Sequence, residues 1–252
     1  MTHTVDYELN DSVGTLRLNQ PEVHNSLGAD ALAELESVLD TIEADPEIRV
    51  LVVTGAGDKT FCAGASLADL NAGRITPDQF QGAMQRLASL AVPTIARVNG
   101  NVFGGGTELA LSCDFRIGVE GTRLRVPAAA FGLCYPPAGI SRFFDKLGKN
   151  AARRMLVASE TLDASELYRL GFYDFLVPRD KLDERLEELT IHLAGLAPLA
   201  TRAMKELIQQ AEQGGIDPDR AAELARECEE SGDLQEGFAA QREKRLPRFE
   251  GR

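Results

Sequence analysis

The chain has few of the features that mark specialised proteins. Its four cysteines, Cys62, Cys113, Cys134 and Cys228, are widely spaced and form no CxxC pair, so reduced structural thiols are expected rather than a disulfide framework. No apolar run is long enough to cross a bilayer. The opening MTHTVDYELND has neither a secretory hydrophobic segment nor the arginines of a transit peptide, and the expected location is the cytoplasm. Lys and Arg number 27 against 39 Asp and Glu, a formal net charge of −12. A general nucleic-acid binder needs an electropositive face for phosphates, so that class of partner is excluded. No metal motif occurs. The histidines, His3, His24 and His192, fall in the tail, in a loop and in a helical stretch; a Ser–His nucleophile pair is not expected. Neither GxGxxG nor GxxxxGK[ST] is present, which sets aside dinucleotide and P-loop readings.

What is present is ordinary for a soluble globular protein: 252 residues, 44% hydrophobic and 26% charged. That length allows one large domain, or one domain with an appendage. Val13–Leu18, Val50–Gly55, Thr94–Val98, Phe115–Val119 and a run near Phe175–Val177 read as strands. Leu27, Ala31, Leu32, Leu35, Val38, Leu39 and Ile42 make one apolar helical stripe, with Ser26 as its expected N-cap. A second helix is expected near Pro77–Leu90, and a further one over Leu162–Leu170, closed by Gly171. Strand–helix–strand repetition implies crossovers and an α/β core. From Asp180 onward nearly everything reads as helix, interrupted by Pro198 and Gly214-Gly215. The expected division is a core over residues 1–195 and a helical segment over 196–252 that packs on the core or on a neighbour.

Two glycine-rich turns carry the chemical signal. One is Phe61-Cys62-Ala63-Gly64-Ala65-Ser66-Leu67, beyond the buried strand that ends at Gly55. The other is Asn99-Gly100-Asn101-Val102-Phe103-Gly104-Gly105-Gly106-Thr107-Glu108, between a strand and a helix. Small residues let a ligand approach the backbone, and a helix that begins inside Gly-Gly-Gly directs free N–H groups at whatever lies above it. Two such donors from separate turns would form an oxyanion hole for a carbonyl oxygen that gains charge. The competing reading is that each turn only allows tight strand–helix packing.

Together these turns resemble the enoyl-CoA hydratase/isomerase (crotonase) family. The resemblance rests on Thr54-Gly55-Ala56-Gly57, Phe61–Ala65 and Val98-Asn99-Gly100…Gly106. It extends to Pro21–Leu27, to Thr161–Ala164 with Leu170-Gly171, and to Glu243-Lys244-Arg245 with Phe249–Arg252, so it covers nearly the whole chain. It implies a crotonase-like α/β core of repeated ββα units with a helical C-terminal segment, assembled as a homotrimer or a dimer of trimers. It also implies chemistry on an acyl-CoA thioester, with coenzyme A as part of the substrate and no separate cofactor. The oxyanion-hole N–H groups would be those of Ala65 and Gly105, and Glu108 would be a catalytic carboxylate. Coenzyme A would lie along Val23, Ala63 and Leu67, with Ser66 and Tyr135 beside the acyl group and Lys244 near the coenzyme. The tail's Arg242, Lys244, Arg245, Arg248 and Arg252 outnumber Glu243 and Glu250, a local positive charge suited to phosphates.

The departures from the family pattern fall beside the acyl group. Ala128, in Val126-Pro127-Ala128, stands where the family has its second glutamate, and alanine cannot transfer a proton. Ser66 replaces the usual acid. Cys134-Tyr135-Pro136-Pro137 replaces a glycine-rich run and is expected to stiffen the wall and present a phenol. Tyr135 and Asp69 are the candidate substitutes for the missing acid, Tyr135 with pocket shaping as the favoured role. Hydration of a 2-enoyl-CoA is the expected reaction. Isomerisation, hydrolysis or decarboxylation with one glutamate, and acyl-CoA binding without catalysis, remain as alternatives.

Overall fold

The protein is described by a computed structural model that covers residues 3–252. The chain opens with strand β1 (Val5–Asn10), which the sequence reading passed over although VDYELN alternates apolar and polar residues, paired antiparallel to β2 (Val13–Leu18). Helix α1 (Ala29–Ala44) follows and buries Ala31, Leu32, Leu35, Leu39 and Ile42, the stripe read from the sequence. Its N-cap is Gly28 rather than Ser26. The reason is tertiary: the Asp69 carboxylate accepts the Ala29 N–H at 2.9 Å, supplying at long range what a local cap would supply. Gly28 leaves room for it, since a Cβ there would sit 2.4 Å from Asp69 Oδ2.

Strands β3 (Val50–Gly55) and β4 (Thr60–Cys62) are wholly buried. Helices α2 (Leu67–Asn71) and α3 (Pro77–Ser89) come next; α3 starts at a Thr76/Gln79 capping box. The order then runs β5 (Thr94–Val98), β6 (Asn101–Phe103), α4 (Gly105–Leu111), β7 (Phe115–Val119), β8 (Arg123–Arg125) and α5 (Pro137–Ala152). Helix α5 was not expected: Pro136 and Pro137 begin it as N-cap and first residue, so the prolines open a helix rather than stiffen a loop. After it come β9 (Leu162–Asp163), α6 (Ala164–Arg169), β10 (Phe175–Val177), α7 (Leu182–Ala194), α8 (Pro198–Glu212), α9 (Pro218–Glu230) and α10 (Gly232–Glu243). The stretch Leu162–Leu170 read as helix is therefore a two-residue strand followed by α6, whose N-cap Asp163 accepts the Glu166 N–H.

Two sheets result, a six-stranded one in the order β1-β2-β3-β5-β7-β10 and a four-stranded one in the order β4-β6-β8-β9. In the larger sheet β2, β3, β5, β7 and β10 run parallel to one another, with β1 antiparallel at the edge, and both of its faces are covered. Leu51, Val53, Ala96 and Val98 join the main core with α1, α3 and α4. Val50, Ile95, Ile117 and Val119 face the other way, against Leu182, Leu189 and Leu193 of α7. Burial on both faces is why β3 reads as an unbroken apolar run over Val50–Val53. The architecture is mixed α/β, with helices gathered at the C-terminus.

The segment after Gly195 docks on residues of the same chain. Lys205, buried on α8, donates to Val92 O at 2.8 Å and pairs with Asp114 at 2.6 Å, and Arg202 and Gln209 donate to the carbonyls of Pro46 and Ala88. No helix among the described residues is long and apolar enough to cross a membrane.

Candidate active site

Two buried asparagines tie the motif segments together. Asn99 donates from Nδ2 to the carbonyls of Gly55 and Gly57 at 2.8 and 2.6 Å and accepts the Gly55 N–H at 3.3 Å. Asn25 donates to the carbonyls of Ala56 and Thr60. The segment Pro21–Leu27 then lies along the first glycine-rich turn. The Ala63 N–H donates to His24 O, Leu27 N–H to Gly64 O, and Ser66 N–H to Leu27 O. That parallel bridge between Leu27 and Ala65 uses the groups on either side of Ala65, so the N–H of Ala65 itself points away from it.

The second turn meets the first in direct backbone contact. Gly64 has φ +84°, and a Cβ on it would lie 2.3 Å from Gly105 N. A Cβ on Gly106 would lie 2.2 Å from Cys62 O. Tight packing therefore does explain Gly64 and Gly106, yet it leaves two donors over. Gly105 is the first residue of α4, where a helix has N–H groups without intrahelical partners, and it is half-buried rather than sealed. The N–H groups of Ala65 and Gly105 thus sit on adjoining turns, joined through Gly64. Val23 and Leu67 flank this edge, 48% and 55% exposed, and Ala63 and Ser66 are half-buried beside it. Ser66 caps α2, its hydroxyl accepting the Asp69 N–H at 3.3 Å.

Glu108, one turn into α4, is fully buried, and two side-chain donors converge on it. Arg142 Nη1 from α5 lies 2.5 Å from Oε1, and Gln81 Nε2 from α3 lies 3.0 Å from Oε2. Tyr135 lies beside it, both groups closing on Gly139. A Cβ on Gly139, in the first turn of α5, would come within 3.1 Å of Oε1, so the N-terminus of that helix abuts the carboxylate as well. Burial pushes the Glu108 carboxyl above the ordinary carboxylate range, and the Arg142 charge, with Gln81 and the Tyr135 phenol beside the carboxyl, restrains that rise. Burial also pushes the Tyr135 phenol well above its usual value, with the neighbouring Glu108 charge adding to the rise. Tyr135 therefore keeps its proton near neutral pH, and its ring packs edge-on against Phe143 at 5.6 Å.

The other candidates drawn from the sequence land elsewhere. Asp69 holds the Ala29 N–H and pairs with Arg74, which keeps its carboxyl below the usual range; it is a cap, not a substitute acid. Ala128 is buried in the main apolar core at the start of a 3-10 turn. The thiols of Cys62 and Cys113 are pushed up to about 12 by burial and are inert as nucleophiles near neutral pH. Lys244 is exposed at the end of α10 and, among the described residues, makes no hydrogen bond or ion pair with the two turns. Part of the positive charge expected of the tail is paired, by carboxylates of the tail and of α10. Arg245 pairs with Glu236 and Glu243, Arg252 with Glu250, and Asp233 accepts the N–H groups of Glu250 and Gly251. Glu236 and Asp233 precede the tail in sequence, and only the fold brings them to it.

Three site residues escaped the sequence reading: Gln81, Gln85 and Arg142. Gln81 and Gln85 stand four apart on α3, amid the buried Phe80, Ala83, Met84 and Leu87, and that spacing of amides beside an apolar stripe was a readable signal. Arg142 had none, because the helix that carries it was not anticipated.

Residues 8–252 match the enoyl-CoA hydratase/isomerase family. A putative enoyl-CoA hydratase of Thermus thermophilus is 35% identical, over 94% of this chain and 97% of its own. The short-chain-enoyl-CoA hydratase of Clostridium acetobutylicum is 30% identical, over 96% of each. The crystal structure of an enoyl-CoA hydratase from Bacillus anthracis superposes with a TM-score of 0.89 at 31% identity, covering 99% of this chain and 100% of the other. By sequence along nearly its whole length and by fold, this chain belongs to the enoyl-CoA hydratase/isomerase family.

Proposed function

We propose that the protein adds water to a 2-enoyl-CoA, or removes it in the reverse direction, with Ala65 and Gly105 holding the thioester oxygen and Glu108 as the only carboxylate that moves protons. The observation that carries this reading is the adjacency of two backbone donors on touching turns, with a buried carboxylate one helical turn behind them. The hydratases among the relatives favour hydration over isomerisation, hydrolysis, decarboxylation or silent binding.

With the thioester oxygen between the two N–H groups, polarisation makes the β-carbon electrophilic. Glu108 accepts a proton from water as the water oxygen bonds to the β-carbon, and the electron pair of the double bond moves onto the thioester oxygen as an enolate. Collapse of the enolate takes a proton at the α-carbon. With alanine at position 128, the group placed to return that proton is Glu108 itself, now protonated. The sum is one water added and the carboxylate regenerated. Tyr135 shapes the wall beside Glu108, and Val23, Ala63, Ser66 and Leu67 flank the thioester. In this reading coenzyme A lies along that edge, Lys244 serves it from a neighbouring subunit of a trimer or dimer of trimers, and the enzyme works in the cytoplasm.

A panel of saturated and 2-unsaturated acyl-CoA thioesters, followed by mass spectrometry, tests the proposal. Unsaturated thioesters should gain the mass of one water and saturated ones should be bound unchanged. Release of free coenzyme A, or loss of carbon dioxide from a malonyl-type thioester without any hydration, would replace it.

A further inference from the structure

The ion pair beneath the two turns has a geometry that packing alone does not require. Arg142 is 8% exposed and Glu108 is 0% exposed at their side chains. The guanidinium is held on both sides, by Glu108 Oε1 at 2.5 Å and by Gln85 Oε1 at 3.1 Å. The carboxylate is held on both oxygens, by Arg142 and by Gln81. A guanidinium does not lose its proton inside a protein, so its charge is permanent.

Building on the hydratase reading, we infer that Arg142 is a positioning residue that lets one carboxylate act in turn as base and acid, in place of the second carboxylate that Ala128 removes. As base, Glu108 is oriented by Arg142 and Gln81 before water arrives. Once Glu108 has taken the proton it is neutral, and the Arg142 charge stands uncompensated while negative charge sits on the thioester oxygen. That charge favours return of the proton from Glu108 to the α-carbon, which restores the ion pair. Burial alone would leave Glu108 a strong base and a reluctant acid; the guanidinium opposes that bias.

The other groups facing the pair are few. Tyr135 precedes α5 and lies beside Glu108, and Cys62 lies on β4 near Tyr135. Gln81 and Gln85 on α3 are neutral. Behind Arg142, a cavity of about 520 Å³ between α3, α5, α7 and α8 is lined by Asp114, Asp145, Lys146, Lys205 and Glu212. Of these, Lys205 pairs with Asp114 and Lys146 with Glu212.

The test compares wild type with Arg142→Met, Arg142→Lys and Gln85→Met. Turnover of crotonyl-CoA is measured against pH, affinity for butyryl-CoA by calorimetry, and the charge of Glu108 by carbon-13 NMR of labelled glutamate, assigned with Glu108→Gln. Arg142→Met should lower kcat about 10²-fold at neutral pH. It should also move the acid limb of kcat/KM and the Glu108 titration up together by about one pH unit or more, with butyryl-CoA affinity changed by no more than about threefold. Arg142→Lys should recover about tenfold of the loss, and Gln85→Met should move the limb upward by less. A limb and a titration that stay in place while thermal stability falls would overturn the inference and leave Arg142 a purely structural ion pair. Should Arg142→Met fail to fold, an unmoved limb in both Arg142→Lys and Gln85→Met would overturn it equally. Absence of crotonyl-CoA turnover in wild type would sink the hydratase reading instead, and the NMR titration would still decide whether Arg142 sets the charge on Glu108.

Discussion

The two halves of the site are built from different materials. The oxyanion side is backbone: Gly64 against Gly105, Gly106 against Cys62 O, and two asparagines lacing the strand ends together. The acyl side is made of side chains, Glu108, Arg142, Gln81 and Tyr135, drawn from α4, α5, α3 and the segment before α5. Backbone donors have few sequence solutions, because only residues without a side chain, or with a very small one, tolerate such contact. A charge network has many solutions, since any element that reaches the spot can supply a partner. The motifs that carry the family resemblance lie on the first side, and the departures expected from the sequence lie on the second.

The backbone side should be the more fragile. Gly64→Ala would place a Cβ 2.3 Å from Gly105 N at a φ of +84°, forcing the turns apart. A loss of about 10³-fold in kcat is expected, with about 1–2 kcal/mol of stability lost to the left-handed conformation alone. Steady-state rates and thermal melts check both, and retention of near-normal turnover would break the claim that the two turns act as one unit. Gly105→Ala is milder, because the Cβ would meet the Phe80 ring rather than backbone. Phe80 can shift, so a fall of about tenfold to 10²-fold is expected, with thioester affinity in calorimetry little changed.

On the side-chain side, effects should appear in pH dependence as well as in maximal rate. Burial raises the Glu108 carboxyl, and the proposed base must be ionised. The acid limb of kcat/KM should therefore lie above the ordinary glutamate value of about 4.3, with activity rising as pH increases through it. The sign for stability is opposite. A carboxyl that binds its proton more tightly folded than unfolded loses stabilisation as pH rises from the ordinary value through the raised one. Removing that ionisation with Glu108→Gln should flatten this component in pH-dependent melts, and an unchanged profile would speak against a raised carboxyl. Tyr135→Phe should have the smallest effect. Removing a hydroxyl beside Glu108 that restrains its raised carboxyl should shift the acid limb slightly upward and change turnover by only a few-fold. A substrate-independent loss of about 10²-fold would instead make Tyr135 a proton donor to the substrate.

The same contrast explains what could be read from the sequence. The buried strands at Val50–Gly55 and Thr94–Val98, the α1 stripe and both glycine turns are local patterns, each complete within a short stretch of chain. The three-residue strands of the smaller sheet carry too little periodicity to be seen, whereas edge strand β1 alternates along its whole length and was legible. Helix α5 was hidden by its own start, since Pro136-Pro137 reads as a loop until the helix behind it is known. With α5 went Arg142. Asp69 as the cap of α1, and Glu236 and Asp233 against the basic tail, likewise depend on pairings that only the fold makes.

The central claim is that Glu108 is the group that moves protons while Ala65 and Gly105 hold the thioester, and it is tested most directly by one paired measurement. Wild type and Glu108→Gln are compared for hydration of crotonyl-CoA and for calorimetric affinity for butyryl-CoA. The account predicts a loss in Glu108→Gln of about 10²–10⁴-fold in turnover, with butyryl-CoA affinity held within a few-fold, because a base acts on the barrier rather than on ground-state binding. Equal turnover in the two proteins would contradict it.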